Sequence, residues 1–202
     1  MDLLLINAPV ARRSPHARLS PPLGLAYVAA AVRQHGYAVD AMDFNVSGLN
    51  LDRLERVVRA ERPRIVGVSA LTETYPNGLR IAECVKRGDA DIQVVFGGAH
   101  ATLLPQEVLS ELVVDWAVVG EGEETMTELA DFLVHHRGRP EEISGLAYRD
   151  GPEVHVNPRR PPLDPDSVPW PARDLFPMEF YQDAWTLSSS RGACPFRCPS
   201  CS

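Results

Sequence analysis

Short runs of branched and aliphatic residues alternate with stretches of helical period through roughly the first 138 residues of the chain. Five runs read as buried strands: Leu3 to Asn7, Ala38 to Asp43, Ile65 to Ala70, Ile92 to Phe96 and Trp116 to Val119. Between and after them, period-3.6 patterns predict helices over Pro22 to His35, Leu51 to Glu61, Asn77 to Arg87, Pro105 to Leu112 and Glu123 to His136. Gly36, Pro63, Gly88 and Gly138 stand where four of these should stop. Strands that are apolar along their whole length must be covered on both faces. The alternation therefore predicts an α/β fold with a mainly parallel five-stranded sheet between two layers of helices.

The pattern then changes. Gly145 to Asn157 reads as two short strands around an Asp150-Gly151 turn, a hairpin rather than another crossover unit. Seven of the chain's 18 prolines fall in the 20 residues from Pro158 to Pro177, where missing backbone donors and fixed φ favour a stiff, extended connector. Ala184 to Ser190 reads as one more strand, leading into a cysteine-rich end. The expected organisation is a first domain over 1–140, a hairpin and connector over 141–180, and the start of a further domain over 181–202.

Composition narrows the partners. Of 202 residues, 45% are hydrophobic and 23% charged, as in folded globular chains. The net charge of -7, from 20 Lys and Arg against 27 Asp and Glu, disfavours phosphate backbones and anionic lipid, so neither nucleic acid nor a membrane is the expected partner. The longest apolar run, Leu23 to Val32, is ten residues, about half of what a bilayer requires. Met1-Asp2-Leu3 lacks the basic start of a secretory signal, which predicts a cytoplasmic protein.

In an open parallel sheet ligands bind outside the carboxyl ends of the strands, so the residues that follow each strand are the candidate site. After the third come Ser69-Ala70-Leu71-Thr72, after the fourth Gly97-Gly98-Ala99-His100, after the fifth Gly120-Glu121-Gly122-Glu123. Glycine lets backbone approach a bulky group and tolerates positive φ, and Ser69 places a hydroxyl at a strand end. Arg12, Arg13, His16 and Arg18 form a basic loop at the same end, read as solvated. Cys84, mid-helix, reads as core. Cys194, Cys198 and Cys201 have the spacing of metal ligands. Clustered thiolates suit zinc or an iron-sulfur cluster, and three of them leave a coordination site open.

Arg191-Gly-Ala-Cys194 and the Cys-x3-Cys-x2-Cys spacing resemble the signature of radical S-adenosylmethionine enzymes. Ser69-x-Leu71 followed by Gly97-Gly98, with Pro21-Pro22-Leu23-Gly24-Leu25 and Gly120-Glu-Gly-Glu123, resembles those members that carry a cobalamin-binding domain. The resemblance implies a flavodoxin-like, Rossmann-type doubly wound sheet of order 2-1-3-4-5, then the first strand and cluster loop of a radical enzyme barrel. It further implies cobalamin held by Ser69, Leu71, Thr72, Gly97, Gly98, Gly120, Glu121 and Gly122. Cys194, Cys198 and Cys201 would each hold one iron of a [4Fe-4S] cluster whose fourth iron takes S-adenosylmethionine. The implied activity is radical methyl transfer to an unactivated carbon or phosphorus, with a flavodoxin or ferredoxin as reductant.

Two departures matter. Where domains with a histidine cobalt ligand have Asp-x-His-x-x-Gly after the first strand, this chain reads Asn7-Ala-Pro-Val-Ala-Arg12, so no ligand is expected from that loop. His100 and His16 are the remaining candidates, each read as a polar contact. Where relatives usually carry an aromatic residue before the third cysteine, Ser200 stands here. Because a barrel needs on the order of 200 residues more, the 202 residues are expected to be the front half of an enzyme with no catalytic residue of its own. The alternatives are a non-catalytic corrinoid carrier and a degenerate domain used as an interaction surface.

Overall fold

Leu3, Leu4, Leu5 and Ile6 are all fully buried, because successive side chains of a central strand point to opposite faces and both faces here are covered. They form β1 (Leu3–Asn7), flanked in parallel by β2 (Val39–Asp43) and β3 (Ile65–Ser69). Next come β4 (Gln93–Gly97) and the short β5 (Trp116–Val118), also parallel. The computed structural model describes residues 1–11 and 19–181; the strand expected over 184 to 190, the three clustered cysteines, Arg12, Arg13, His16 and Arg18 lie outside the described residues.

The helices are α1 (Leu23–Gln34), α2 (Phe44–Ser47), α3 (Leu51–Glu61), α4 (Tyr75–Gly88), α5 (Ala99–Leu103), α6 (Pro105–Ser110) and α7 (Glu123–His135). Local chemistry sets several of their ends. Asn50 caps α3 by accepting from Arg53 N at 2.9 Å, and Asp43 caps α2 by accepting from Asn45 N at 2.9 Å. Gly36, at φ +92°, turns the chain after α1. Two short helices, α2 and α5, escaped the periodicity because neither is long enough to display one.

Alternation along β1 separates two cores. Leu4 and Ile6 join Leu54, Ile81, Val85, Val108 and Leu109 under α3, α4 and α6. Leu3 and Leu5 join Leu25, Ala29, Val32, Met126 and Leu129 under α1 and α7.

Five parallel strands thus stand in the expected order, and the sheet continues past residue 140. The hairpin, β6 (Leu146–Asp150) and β7 (Glu153–Val156), pairs antiparallel onto the free edge of β5, giving seven strands in the order β2-β1-β3-β4-β5-β6-β7. Pairing of Val118 with Leu146 and Trp116 with Tyr148 satisfies an edge that would otherwise expose unpaired backbone groups.

The proline-rich connector also differs from a free-standing strut. It folds back over α1 in 3-10 turns at Pro165–Ser167, Arg173–Leu175 and Met178–Phe180. Ala172 N donates to Ala26 O at 3.0 Å, Arg33 pairs with Asp174 at 2.9 Å, and Ala172, Phe176 and Tyr181 are buried in the α1/α7 core. Burying two aromatic rings contributes on the order of 2 kcal/mol each, which accounts for the docking.

Candidate functional site

The carboxyl ends of β1, β3, β4 and β5 open into a cleft of about 700 Å³. Its mouth is rimmed by the loops that follow those strands. Its floor runs down between the sheet and the helices α1 and α7, past Leu5, Gly67, Val95, Val118, Leu25, Val28 and Met126. Leu5, Gly67 and Val95 are direct neighbours across three strands, and the glycine between the two larger residues leaves a dip into which the Leu5 side chain leans. The floor is apolar, and the mouth carries hydroxyls, amides and glycines. Such a shape takes a large ligand with an apolar insert and a polar body.

Of the eight residues expected to bind a cofactor, Ser69, Leu71, Gly97, Gly98, Gly120, Glu121 and Gly122 line the cleft. They do different things. A Cβ on Gly97 or Gly120 would meet no atom within 4 Å, so these two positions are open space into which a ligand can come against bare backbone. Gly98 is required by the fold itself: its φ is +90°, and a Cβ there would lie 2.8 Å from Ala70 O and 3.2 Å from Ser69 Oγ. It lets the loops after β3 and β4 press together, with Ala70 N donating to Gly97 O at 3.1 Å. Gly122 admits Val28 of α1 against the start of α7. Glu121 Oε2 accepts from Leu163 N at 2.9 Å and so holds the connector at the rim. Leu71, 53% exposed, presents an apolar side chain at the mouth.

Thr72, the eighth, is not among the residues that line the cleft. Its Oγ1 lies 3.3 Å from His100 Nδ1, while the threonine that faces the cleft is Thr74, whose Oγ1 accepts from Leu71 N at 2.9 Å. The two threonines lie two residues apart in a loop that turns into α4, so one faces the cleft and the other faces His100.

His100 also turns away. Its ring is 3% exposed, stacks on Tyr75 at 4.0 Å between centroids, and places Nε2 3.7 Å from Glu107. Burial and the nearby Glu111 and Glu107 carboxylates push the Tyr75 hydroxyl up to about 12, so it stays neutral beside the imidazole. His100 therefore braces α5 against α4 and offers no nitrogen to the cleft, and among the described lining residues there is no histidine.

Below β1, Asn7, Ala8 and Val10 line the cleft where a histidine-bearing loop would otherwise run. Asn7 Nδ2 donates to Asp43 Oδ1 at 3.0 Å, and the same carboxylate receives the Tyr181 hydroxyl on Oδ2 at 2.7 Å. Asp43 is 6% exposed, and it ties β1, β2 and the end of the connector into one buried knot beside the cleft. Residue patterns could flag Ser69 and the glycines by their places after strands. Met126, Thr102, Gly67 and the connector residues Arg159, Leu163 and Val168 also line the cleft and carry no such local signal.

A family model described as "B12 binding domain" matches residues 17–130, more than half of the chain. Among curated proteins, an uncharacterized methyltransferase of Pyrococcus horikoshii is 34% identical over the whole chain and 45% of its own length. An anaerobic magnesium-protoporphyrin IX monomethyl ester cyclase of Rubrivivax gelatinosus is 31% identical over 90% of the chain and 35% of its own length. Cytidylyl-2-hydroxyethylphosphonate methyltransferase of Streptomyces wedmorensis is 27% identical over 98% and 47%. The chain thus spans from about a third to about half of the length of these relatives.

Among solved structures, the cobalamin-dependent S-adenosylmethionine radical enzyme OxsB, with aqua-cobalamin and S-adenosylmethionine bound, shares the fold at a TM-score of 0.74 and 21% identity. That match covers 86% of this chain and 24% of OxsB. The radical S-adenosylmethionine methyltransferase TsrM of Kitasatospora setae, with cobalamin and a [4Fe-4S] cluster bound, matches at 0.66 and 21%, covering 84% of this chain and 31% of TsrM. Taken with the cleft at the strand ends, the match over residues 17–130 establishes that this chain belongs to the B12-binding domain family.

Proposed function

We propose that this chain is the corrinoid-binding portion of a cobalamin-dependent radical S-adenosylmethionine enzyme that carries out radical methyl transfer to an unactivated carbon or phosphorus. The observation that carries the reading is the cleft: bare backbone at Gly97 and Gly120 beside Ser69 at the mouth, above an apolar floor between α1 and α7. A corrin ring is broad, edged with amides and carries an aromatic base on a flexible tail. It needs stretches of bare backbone at the mouth and an apolar slot beneath, and the residues present fit it. When bound, cobalamin supplies a cobalt centre that can carry a methyl group. The chain's own residues orient the ring, receive the tail and keep a histidine away from the metal.

Cys194, Cys198 and Cys201 are proposed to hold a [4Fe-4S] cluster whose open iron takes S-adenosylmethionine. Cysteine spacing and the names of the relatives support this. An oxygen-sensitive cluster fits a cytoplasmic setting with flavodoxin or ferredoxin as electron donor. Among the described residues no helix is long and apolar enough to cross a membrane. A second reading, radical chemistry other than methylation, is favoured by the likeness to the Rubrivivax cyclase.

Two measurements test the proposal. Titration of hydroxocobalamin into the chain should shift its visible absorption with one-to-one stoichiometry, and the cob(II)alamin form should show no superhyperfine coupling to a histidine nitrogen. An unchanged spectrum would overturn corrinoid binding, and strong nitrogen coupling would overturn the ligand assignment. Anaerobic reconstitution should load iron and sulfide onto the wild type and onto Cys84→Ala but not onto Cys194→Ala. Loss of iron in the Cys84 variant would contradict the cluster assignment.

A further inference from the structure

Cobalamin carries one anionic group, the phosphodiester of its nucleotide tail; the amides that edge its ring are neutral. The described charged residues lining the cleft are Glu121, Glu123 and Arg159. In a chain of net charge -7, a carboxylate at the mouth such as that of Glu121 would repel a phosphodiester unless a cation stood beside the anion. Resting on the corrinoid reading above, we propose that Arg159 binds the phosphodiester of the nucleotide tail and makes the cleft select complete corrinoids over those that lack it.

The guanidinium is placed for this role. Its Nη2 donates to Thr102 O at 3.2 Å, at the end of α5. Thr102 Oγ1 in turn accepts from Gly120 N at 3.0 Å, which sets Arg159 beside the open Gly120 turn. Guanidinium has five N–H donors, so one bond to a carbonyl leaves a fork free for two phosphate oxygens. No carboxylate among the described residues pairs with Arg159, in contrast to its neighbour Arg160, which is fixed to Glu124 at 2.6 Å and Glu128 at 2.5 Å.

That contrast is what positions it. On one side Arg160 is anchored to α7. On the other, Pro158 O accepts from Gly145 N at 2.8 Å. The backbone at 159 is therefore held before any ligand arrives, which lowers the ordering cost of binding. Glu121 is itself engaged by Leu163 N, so the carboxylate nearest in sequence to the open turn is drawn toward the connector.

The test compares hydroxocobalamin, cobinamide phosphate and cobinamide, which lacks phosphate and base, by visible titration of the wild type, Arg159→Gln and Arg159→Lys. The expected result is a loss of about tenfold in affinity for cobalamin and for cobinamide phosphate in Arg159→Gln, with cobinamide changed less than twofold. Arg159→Lys should recover most of the loss, and raising salt should weaken the wild type toward the two phosphate-bearing ligands only. Equal losses for all three ligands, or no loss for cobalamin, would overturn the assignment. Wild type that binds all three while Arg159→Gln matches it overturns the role of Arg159 alone. Wild type that binds none overturns the corrinoid reading as well.

Discussion

At the N-terminal ends of the strands, Lys86 Nζ donates to Ile92 O at 2.8 Å and pairs with Asp115 at 2.7 Å, and Asp115 accepts from Val94 N at 2.7 Å. At the C-terminal ends the corresponding places are occupied by Gly97, Gly98 and Gly120. Both ends have a hollow, of about 500 Å³ at the first and about 700 Å³ at the second. Around the first, Arg62 pairs with Asp89 at 3.4 Å and Arg64 donates to Val134 O, so polar groups satisfy one another and close the sheet. Around the second, side chains such as Glu121, Thr74 and Asp43 fasten the surrounding loops to one another or to themselves, while the bare backbone of Gly97 and Gly120 is left facing open space. Size does not separate the two hollows; what their polar groups are bonded to does.

Substitutions that add side chains at the open end and remove them at the closed end should sort the two. The largest effect belongs to Gly98→Leu. A non-glycine residue at φ +90° with its Cβ 2.8 Å from a carbonyl oxygen should cost on the order of 3 kcal/mol or more, read as a large drop in the urea midpoint. If Gly98→Leu unfolds like the wild type, the packed β3 and β4 loops described here are wrong.

Gly97→Leu, one residue away, should behave oppositely. Its side chain enters open space, so stability should stay within about 1 kcal/mol of wild type. Corrinoid affinity should fall at least a hundredfold, a change of about 2.7 kcal/mol in binding. Intact affinity in a folded Gly97→Leu variant would remove the cleft mouth from the binding site.

At the closed end, Asp115→Ala takes the paired carboxylate from Lys86, which keeps its bond to Ile92 O, and leaves the Val94 N–H without its acceptor. A stability loss of about 2 kcal/mol is expected, with corrinoid affinity unchanged. Weakened corrinoid binding in this variant, measured at a temperature where it is fully folded, would show that the two ends are coupled.

The smallest effect tests the connector. Tyr181→Phe removes the hydroxyl that Asp43 accepts and should cost about 1 kcal/mol near neutral pH. Burial first, and the hydrogen bond to Asp43 second, raise the Tyr181 pKa above its ordinary value near 10. The unfolded chain therefore releases this proton at lower pH than the folded one does. The stabilisation is complete below about pH 10 and is lost as pH rises beyond it. Tyr181→Phe should flatten the fall of the urea midpoint between about pH 10 and 12; an identical slope would mean that Tyr181 is solvated and the connector undocked.

Local pattern carried most of the scaffold. An uninterrupted apolar run such as Leu3 to Ile6 can only be buried on both faces, and β1, β2, β3, β4 and β5 follow in the expected order. Position after a strand was enough to mark Ser69, Gly97, Gly98 and Gly120. It could not tell Gly97, open to the cleft, from Gly98, pressed on Ala70, because the difference lies in which way an absent side chain would point. Nor could it tell Thr72 from Thr74, since the loop's turn into α4 decides which of them faces the cleft.

The cleft's second wall was beyond the reach of pattern. Asp43 and Tyr181 meet across 138 residues, Arg159 and Thr102 across 57, and Leu163 and Glu121 across 42. The prolines from 158 to 177 announce stiffness and say nothing about direction. Only the burial of Phe176 and Tyr181 in the α1/α7 core, with Ala172 donating to Ala26, turns a stiff segment back over α1 and makes it part of the site. The sequence alone thus determined the strands and the glycines at their ends, since those depend on neighbours one to four residues away, while the order of the strands was implied by the family resemblance. Which of those glycines face a ligand, and that a connector closes the cleft with an arginine at its rim, was decided by contacts between residues far apart in the chain, whose energies no local window contains.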